Sequence, residues 1–209
     1  MRVVLDIIAV AAGRAPVSAT VGDLPAMEPM VLRAAALDMA ATGVDYVKLG
    51  FFPAPSIGAC IDALGPLTSR HKLVGVLFAD RFPHDAALDT LVSRIAAAGW
   101  FGIMLDTADK RAGGLLRHRK PEQLAEFIAL ARRHGLHSGL AGSLGLADIS
   151  VLLPLGPDLL GFRSALCTAG QRTAVIDPRR LCAVARVMQS LCADTGTIAT
   201  PDKACASQP

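Results

Sequence analysis

Short apolar runs alternate with longer helical patterns along the chain, and this alternation limits the fold more than any other feature. A short apolar run between chain breakers suits a buried parallel strand, and an amphipathic stretch suits a helix laid across the sheet. Residues 3–12 read as an amphipathic helix stopped at Gly13. Strands are expected at 16–22, 45–50, 72–79, 101–106, 137–142 and 159–164. Helices are expected near 27–42, 55–69, 85–98, 121–134, 145–153 and 178–192. Gly43, Gly99 and Gly135 follow helical patterns, where a residue free to take positive φ ends a helix well. From Asp194 the residues turn small and polar, so a disordered tail is expected over 194–209, after one domain over 1–193.

Six strands, each followed by a helix, define an α/β chain. Two α/β architectures fit that alternation. A doubly wound open sheet carries a glycine fingerprint after its first strand, but here the residues are Val21-Gly22-Asp23-Leu24-Pro25. Polar residues stand instead at the C-terminal ends of nearly every strand: Asp23, Lys48, Asp80, Asp106, Ser143 and Arg163. In a TIM-type (β/α) barrel all strand ends face one mouth, so this distribution favours the barrel.

Composition narrows the partners. The 209 residues are 52% hydrophobic and only 4% aromatic, enough for one sizeable core of Ala, Leu and Val. A net charge of +3 on scattered basic residues argues against nucleic acid. No long uncharged apolar run suggests a membrane span, and Asp6 interrupts the one short apolar start, which carries a single Arg. Cys60, Cys167, Cys182, Cys192 and Cys205 form no CxxC pair and read as free thiols of a reducing cytoplasm. His71, His84, His118, His134 and His137 never fall at metal-ligand spacing, so neither metal nor cofactor is expected.

Strand alternation sorts the residues able to do chemistry. In Tyr46-Val47-Lys48-Leu49 the apolar face meets the helices, which turns Lys48 into the barrel, where partial desolvation favours the neutral amine. Such a lysine serves as a base or a Schiff-base amine; the alternative is a side chain that snorkels out of the barrel end. Asp106 shares a face with Gly102 and Met104, and either relays protons and holds an ammonium or caps a helix. Lys110 follows in the loop, beside Arg111, as a site lysine or as solvated charge. Asp80 is a site acid, a partner of Arg81 or a helix cap; Asp23 binds substrate or starts a turn; Ser18 and Thr20 fill the barrel or, as the alternative, contact substrate. Ala141-Gly142-Ser143 and Gly161-Phe162-Arg163-Ser164, with Arg172 in the next loop, look like a phosphate cradle, since glycine lets backbone amides approach an anion.

Several blocks, in order between about residues 16 and 185, resemble the (5-formylfuran-3-yl)methyl phosphate synthase family, also described as 4-(hydroxymethyl)-2-furancarboxaldehyde-phosphate synthase. They are Val17-Ser18-Ala19-Thr20-Val21-Gly22-Asp23, Val44-Asp45-Tyr46-Val47-Lys48, Met104-Leu105-Asp106-Thr107-Ala108, Leu140-Ala141-Gly142-Ser143 and Gly161-Phe162-Arg163. The resemblance implies a TIM barrel and a carbon–oxygen lyase. It would condense two molecules of glyceraldehyde 3-phosphate through a lysine Schiff base, without a metal, into a furan aldehyde phosphate. The product serves methanofuran-type carriers and, in bacteria, one-carbon (formaldehyde) oxidation. Lys48 matches the family's proton-accepting lysine, and Asp106 and Lys110 match its acid and lysine near the sixth strand. The family's imine-forming lysine sits in an Asp-x-Lys-Asn-Pro motif that this sequence lacks. The resemblance therefore implies a barrel without its first two strands, six βα units and two open edges, which leaves a homo-oligomer open. Two other functions stay open: a catalytically dead barrel that binds a phosphosugar or a partner, and another Schiff-base phosphosugar aldolase or isomerase.

Overall fold

A computed structural model describes residues 1–84 and 86–194. The elements run α1 (Arg2–Ala11), β1 (Ser18–Thr20), α2 (Pro29–Ala40), β2 (Tyr46–Phe51), α3 (Ile57–Leu64), β3 (Lys72–Phe78) and α4 (Ala86–Ala97). They continue through β4 (Gly102–Asp106), α5 (Leu115–His118), α6 (Pro121–Arg133), β5 (His137–Leu140), α7 (Leu146–Leu152), β6 (Leu159–Leu160) and α8 (Pro178–Asp194). The strands form one sheet in chain order, every neighbouring pair parallel. That order never reverses, so there is no switch point of the kind a doubly wound sheet uses. Thr20 on β1 and Leu159 on β6 line the same trough, which a flat sheet cannot achieve. The sheet is thus curled like half of a barrel. Among the described residues β1 pairs only with β2 and β6 only with β5.

The two sheet faces differ as the alternation requires. Val47, Leu49 and Phe51, with Leu73, Leu77, Ile103, Leu105 and Leu140, point outward and are buried under Leu32, Ile61, Val92 and Phe127 of the helices. Each such side chain contributes about 1.5–3 kcal/mol on burial, so this layer holds the helices on the sheet. A second, smaller cluster of Val76, Phe78, Met104 and Ala141 forms the inner floor. Gly139 is required there: a Cβ on it would lie 2.8 Å from Met104 Cβ.

Several boundaries differ from expectation for physical reasons. The first strand is Ser18–Thr20 rather than 16–22, because Gly22, at φ 93°, turns the chain away after Val21 has donated to the Lys48 carbonyl. The last strand shrinks from 159–164 to Leu159–Leu160, with Gly161 still donating to the Leu140 carbonyl at 2.8 Å. Prolines 66 and 154 tighten the ends of α3 and α7 into 3₁₀ turns over Gly65–Leu67 and Leu153–Leu155. Helix α5 and the 3₁₀ turns at Ser164–Leu166 and Thr168–Gly170 had no periodic signal, being too short to show one. Helix α8 runs through Asp194; the expected tail beyond it lies outside the described residues. Among the described residues no helix is long and apolar enough to cross a membrane.

Candidate active site

The curled sheet encloses a trough of about 460 Å³ at the C-terminal ends of its strands. Asp23, Lys48, Asp106, Lys110, Gly142, Ser143, Gly161, Arg163 and Arg172 all line it. Four cationic side chains therefore face two carboxylates, over an apolar floor that includes Val76, Phe78 and Met104. That balance suits an anionic ligand, whose charge the surplus cations would neutralise.

Lys48 arrives on β2, in register with Thr20 of β1 and Val74 of β3. Burial pulls its ammonium below the ordinary lysine range, and the Asp106 carboxylate pulls part of the way back. Asp106 ends β4 and is held on all sides. Its carbonyl accepts from the Ala79 amide at 2.8 Å, and its Oδ1 accepts from the Thr107 amide at 2.7 Å and from Lys110 Nζ at 2.5 Å. Lys110 Nζ also donates to the Thr107 carbonyl and, at 3.3 Å, to Thr107 Oγ1. Lys110 thus folds back over the strand end; its side chain and that of Asp106 keep 28% and 29% of their exposure, enough to meet a ligand.

The other end of the trough is built from loops. After β5, Gly142 at φ 115° and Ser143 at φ 52° bend the chain sharply, and the Gly142 carbonyl accepts from the Leu115 amide at 2.9 Å. A Cβ on Gly142 would meet Thr107 Cγ2 at 3.1 Å, in a backbone conformation that side chains rarely adopt. After β6, Arg163 Nε donates to the Arg172 carbonyl at 3.1 Å, and buried Cys167 donates from Sγ to the Arg163 carbonyl at 3.2 Å. These bonds tie the two arginine-bearing segments into one wall.

Asp80 stands apart from the other candidates. Its side chain, 6% exposed, does not line the trough; Oδ1 accepts from the Ala108 amide at 2.7 Å and Oδ2 from the Asp109 amide at 2.9 Å. Phe52 and Thr107 line the trough without a chemical role expected of them, while Phe162 and Ser164 enter it as part of the expected Gly161-Phe162-Arg163-Ser164 cradle. Thr107 and Phe162 lie inside the recognised sequence blocks, but a buried threonine and a wall phenylalanine carry no chemical signal of their own.

A sequence profile of the 4-HFC-P synthase family matches residues 1–185, which span every strand and every candidate residue. The chain belongs to that family. A provisional (5-formylfuran-3-yl)methyl phosphate synthase of Methylorubrum extorquens is 41% identical over 187 residues, covering 88% of this chain and 74% of its own. The (5-formylfuran-3-yl)methyl phosphate synthase of Methanosarcina acetivorans is 33% identical over 181 residues, covering 83% and 77%. A solved structure of native KDPGal superposes with a TM-score of 0.54 at 14% identity, covering 90% of this chain and 75% of that one; the likeness is one of fold. The synthase family and the barrel-like sheet thus agree with what the blocks implied.

Proposed function

We propose that the trough condenses two molecules of glyceraldehyde 3-phosphate into (5-formylfuran-3-yl)methyl phosphate, as a cytoplasmic step toward a methanofuran-type carrier. One observation carries the reading: Lys48, the Asp106–Lys110 pair and the glycine-flanked Arg163 open onto a single cationic trough. In this reading an amine joins the aldehyde of one triose phosphate as an imine, releasing water. Lys48, poised toward its neutral form by burial, takes a proton from the adjacent carbon to give an enamine. The enamine carbon bonds to the second aldehyde, loss of one phosphate and of water closes and aromatises the ring, and hydrolysis of the imine frees the amine, so that one phosphate and, net, two waters leave. Asp106 and Lys110 move protons in the later steps, while Arg163, Arg172 and the turns at Gly142-Ser143 and Gly161 hold the phosphates.

The test is to incubate the chain with glyceraldehyde 3-phosphate and to follow ring product by mass and free phosphate by assay. Lys48→Met is expected to lower the rate by at least about 100-fold; an undiminished rate removes Lys48 from the chemistry. Of the described lysines, Lys48 and Lys110 line the trough. Borohydride reduction with substrate, followed by peptide mapping, identifies which amine carries the imine; no adduct on any lysine would discard the Schiff-base route.

A second reading has its own observation. Leu159, on the inner wall, is 53% exposed, and the sheet ends do not pair among the described residues, so the trough is open along one side. Dehydration inside so wet a site is disfavoured. The chain would then bind a triose phosphate without turning it over. Calorimetric binding with no ring product separates this outcome from the first.

A further inference from the structure

We infer that Asp80 is a positioning residue for the reaction proposed above: from outside the trough it clamps the loop that holds Lys110 against Asp106, with Arg81, whose Nε lies 3.8 Å from its Oδ2, as its counter-charge. Between Asp106 and Lys110 the chain turns through Thr107, Ala108 and Asp109. The Thr107 amide is satisfied by Asp106 itself. The next two amides both donate to Asp80, one to each carboxylate oxygen. A single carboxylate at the end of β3 therefore fixes the path of the loop leaving β4. No neutral side chain of that size accepts twice in this way, and an amide would turn a donor toward one of the two N–H groups.

The surroundings reinforce the assignment. Burial alone would raise the Asp80 carboxyl, but the amides of Asp109, Ala108 and Asp80 itself, with Arg81, outweigh it and keep the group ionised. Arg119 is 8% exposed and feels Asp80 electrostatically. Its guanidinium donates to the His118 carbonyl at 2.8 Å and to the Phe82 carbonyl, so the segments after β3 and after α5 are bound together beneath the clamp. Among the described residues its Nε has no hydrogen-bond partner.

Loosening the loop has a consequence in the trough. Lys48 faces Asp23, Asp106, Lys110, Arg163 and Arg172 there. If Lys110 leaves Asp106, the carboxylate is no longer shared, and the Lys48 ammonium gains its full attraction. Lys48 should then hold its proton to higher pH, which a merely structural role for Asp80 would not produce.

The experiment compares the wild-type chain with Asp80→Asn. Amide hydrogen exchange on the wild-type chain comes first: the loop amides of Ala108 and Asp109 are expected to be protected, and free exchange there overturns the clamp without any variant. In Asp80→Asn, residues 107–110 should exchange at least about tenfold faster while the strands keep their protection. The Lys48 titration, read by NMR of its ε-carbon, should move to higher pH. Where the wild-type chain makes ring product, kcat should fall about 100-fold with KM within about twofold. An unmoved Lys48 titration with only a lowered Tm overturns the proposal. Exchange and titration are read without turnover, so a chain that makes no ring product sinks the proposed reaction and leaves the clamp still under test.

Discussion

Lys48 illustrates at the scale of one residue how a site is set against stability. Its folded-state pKa is depressed, chiefly by burial. Below that folded value the lysine is charged in both states, and the whole cost of burying the ammonium is present. As pH rises through the window between the folded value and the unfolded value of 10.5, the folded chain releases its proton first and the cost is relieved. Lys48→Met should therefore be more stable than wild type at neutral pH, by on the order of 1 kcal/mol or about 2–4 °C in Tm. The advantage should shrink as pH climbs toward the unfolded value, which thermal melts at several pH values will show. An equal or lower Tm at neutral pH would mean that Lys48 is not held at a cost. The sequence pointed to this residue because one lysine sat among apolar strand neighbours. Asp80 was legible only as an acid at a strand end, since its two partners lie 28 and 29 positions away.

Elements of this chain are stitched together by side chains at their ends. Asp158, just before β6, accepts from the Ser138 amide at 2.7 Å and from Ser138 Oγ at 2.8 Å, locking the last strand to β5. Burial would raise its carboxyl, but those two bonds, with His137 and Arg132, hold it below the ordinary range. Its stabilising contribution is complete above the unfolded value of 3.8 and is lost as pH falls through the depressed folded value. Asp158→Asn should accordingly unfold at lower denaturant than wild type at pH 7 and converge with it in strong acid. Equal midpoints at pH 7 would show that β6 needs no such lock. The short strands β1 and β6 were the elements read least well, because their extent depends on partners across the sheet. The longer helices are legible in the sequence, since their periodicity and caps are local. Pro121 opens α6, and Gln123 Oε1 accepts from the Lys120 amide at 3.0 Å at its start.

For the molecule as a whole, the edges of β1 and β6, which find no strand partner among the described residues, are the feature with the largest consequence. Each presents backbone donors and acceptors that another chain can use. Apolar surface also stands on α1, the helix before β1 in the chain, where Val3 and Val10 are 69% and 71% exposed. Association that grows with concentration is expected in sedimentation experiments. Ser18→Lys, which charges the β1 edge, should lower the association constant by about fivefold or more. A chain that stays monomeric at high concentration, with or without that substitution, would remove the edges as an association surface.

The sequence by itself determined the parallel α/β class, the longer helices and the charged residues that line the trough, because periodicity, capping and strand alternation are properties of neighbouring positions. Tertiary structure alone decided that the sheet curls without its ends pairing among the described residues. It alone turned Asp80 to the loop rather than to the trough, and it buried Arg119. Those outcomes depend on which groups meet across long stretches of chain, where hydrogen bonding and charge, not local pattern, select the partner.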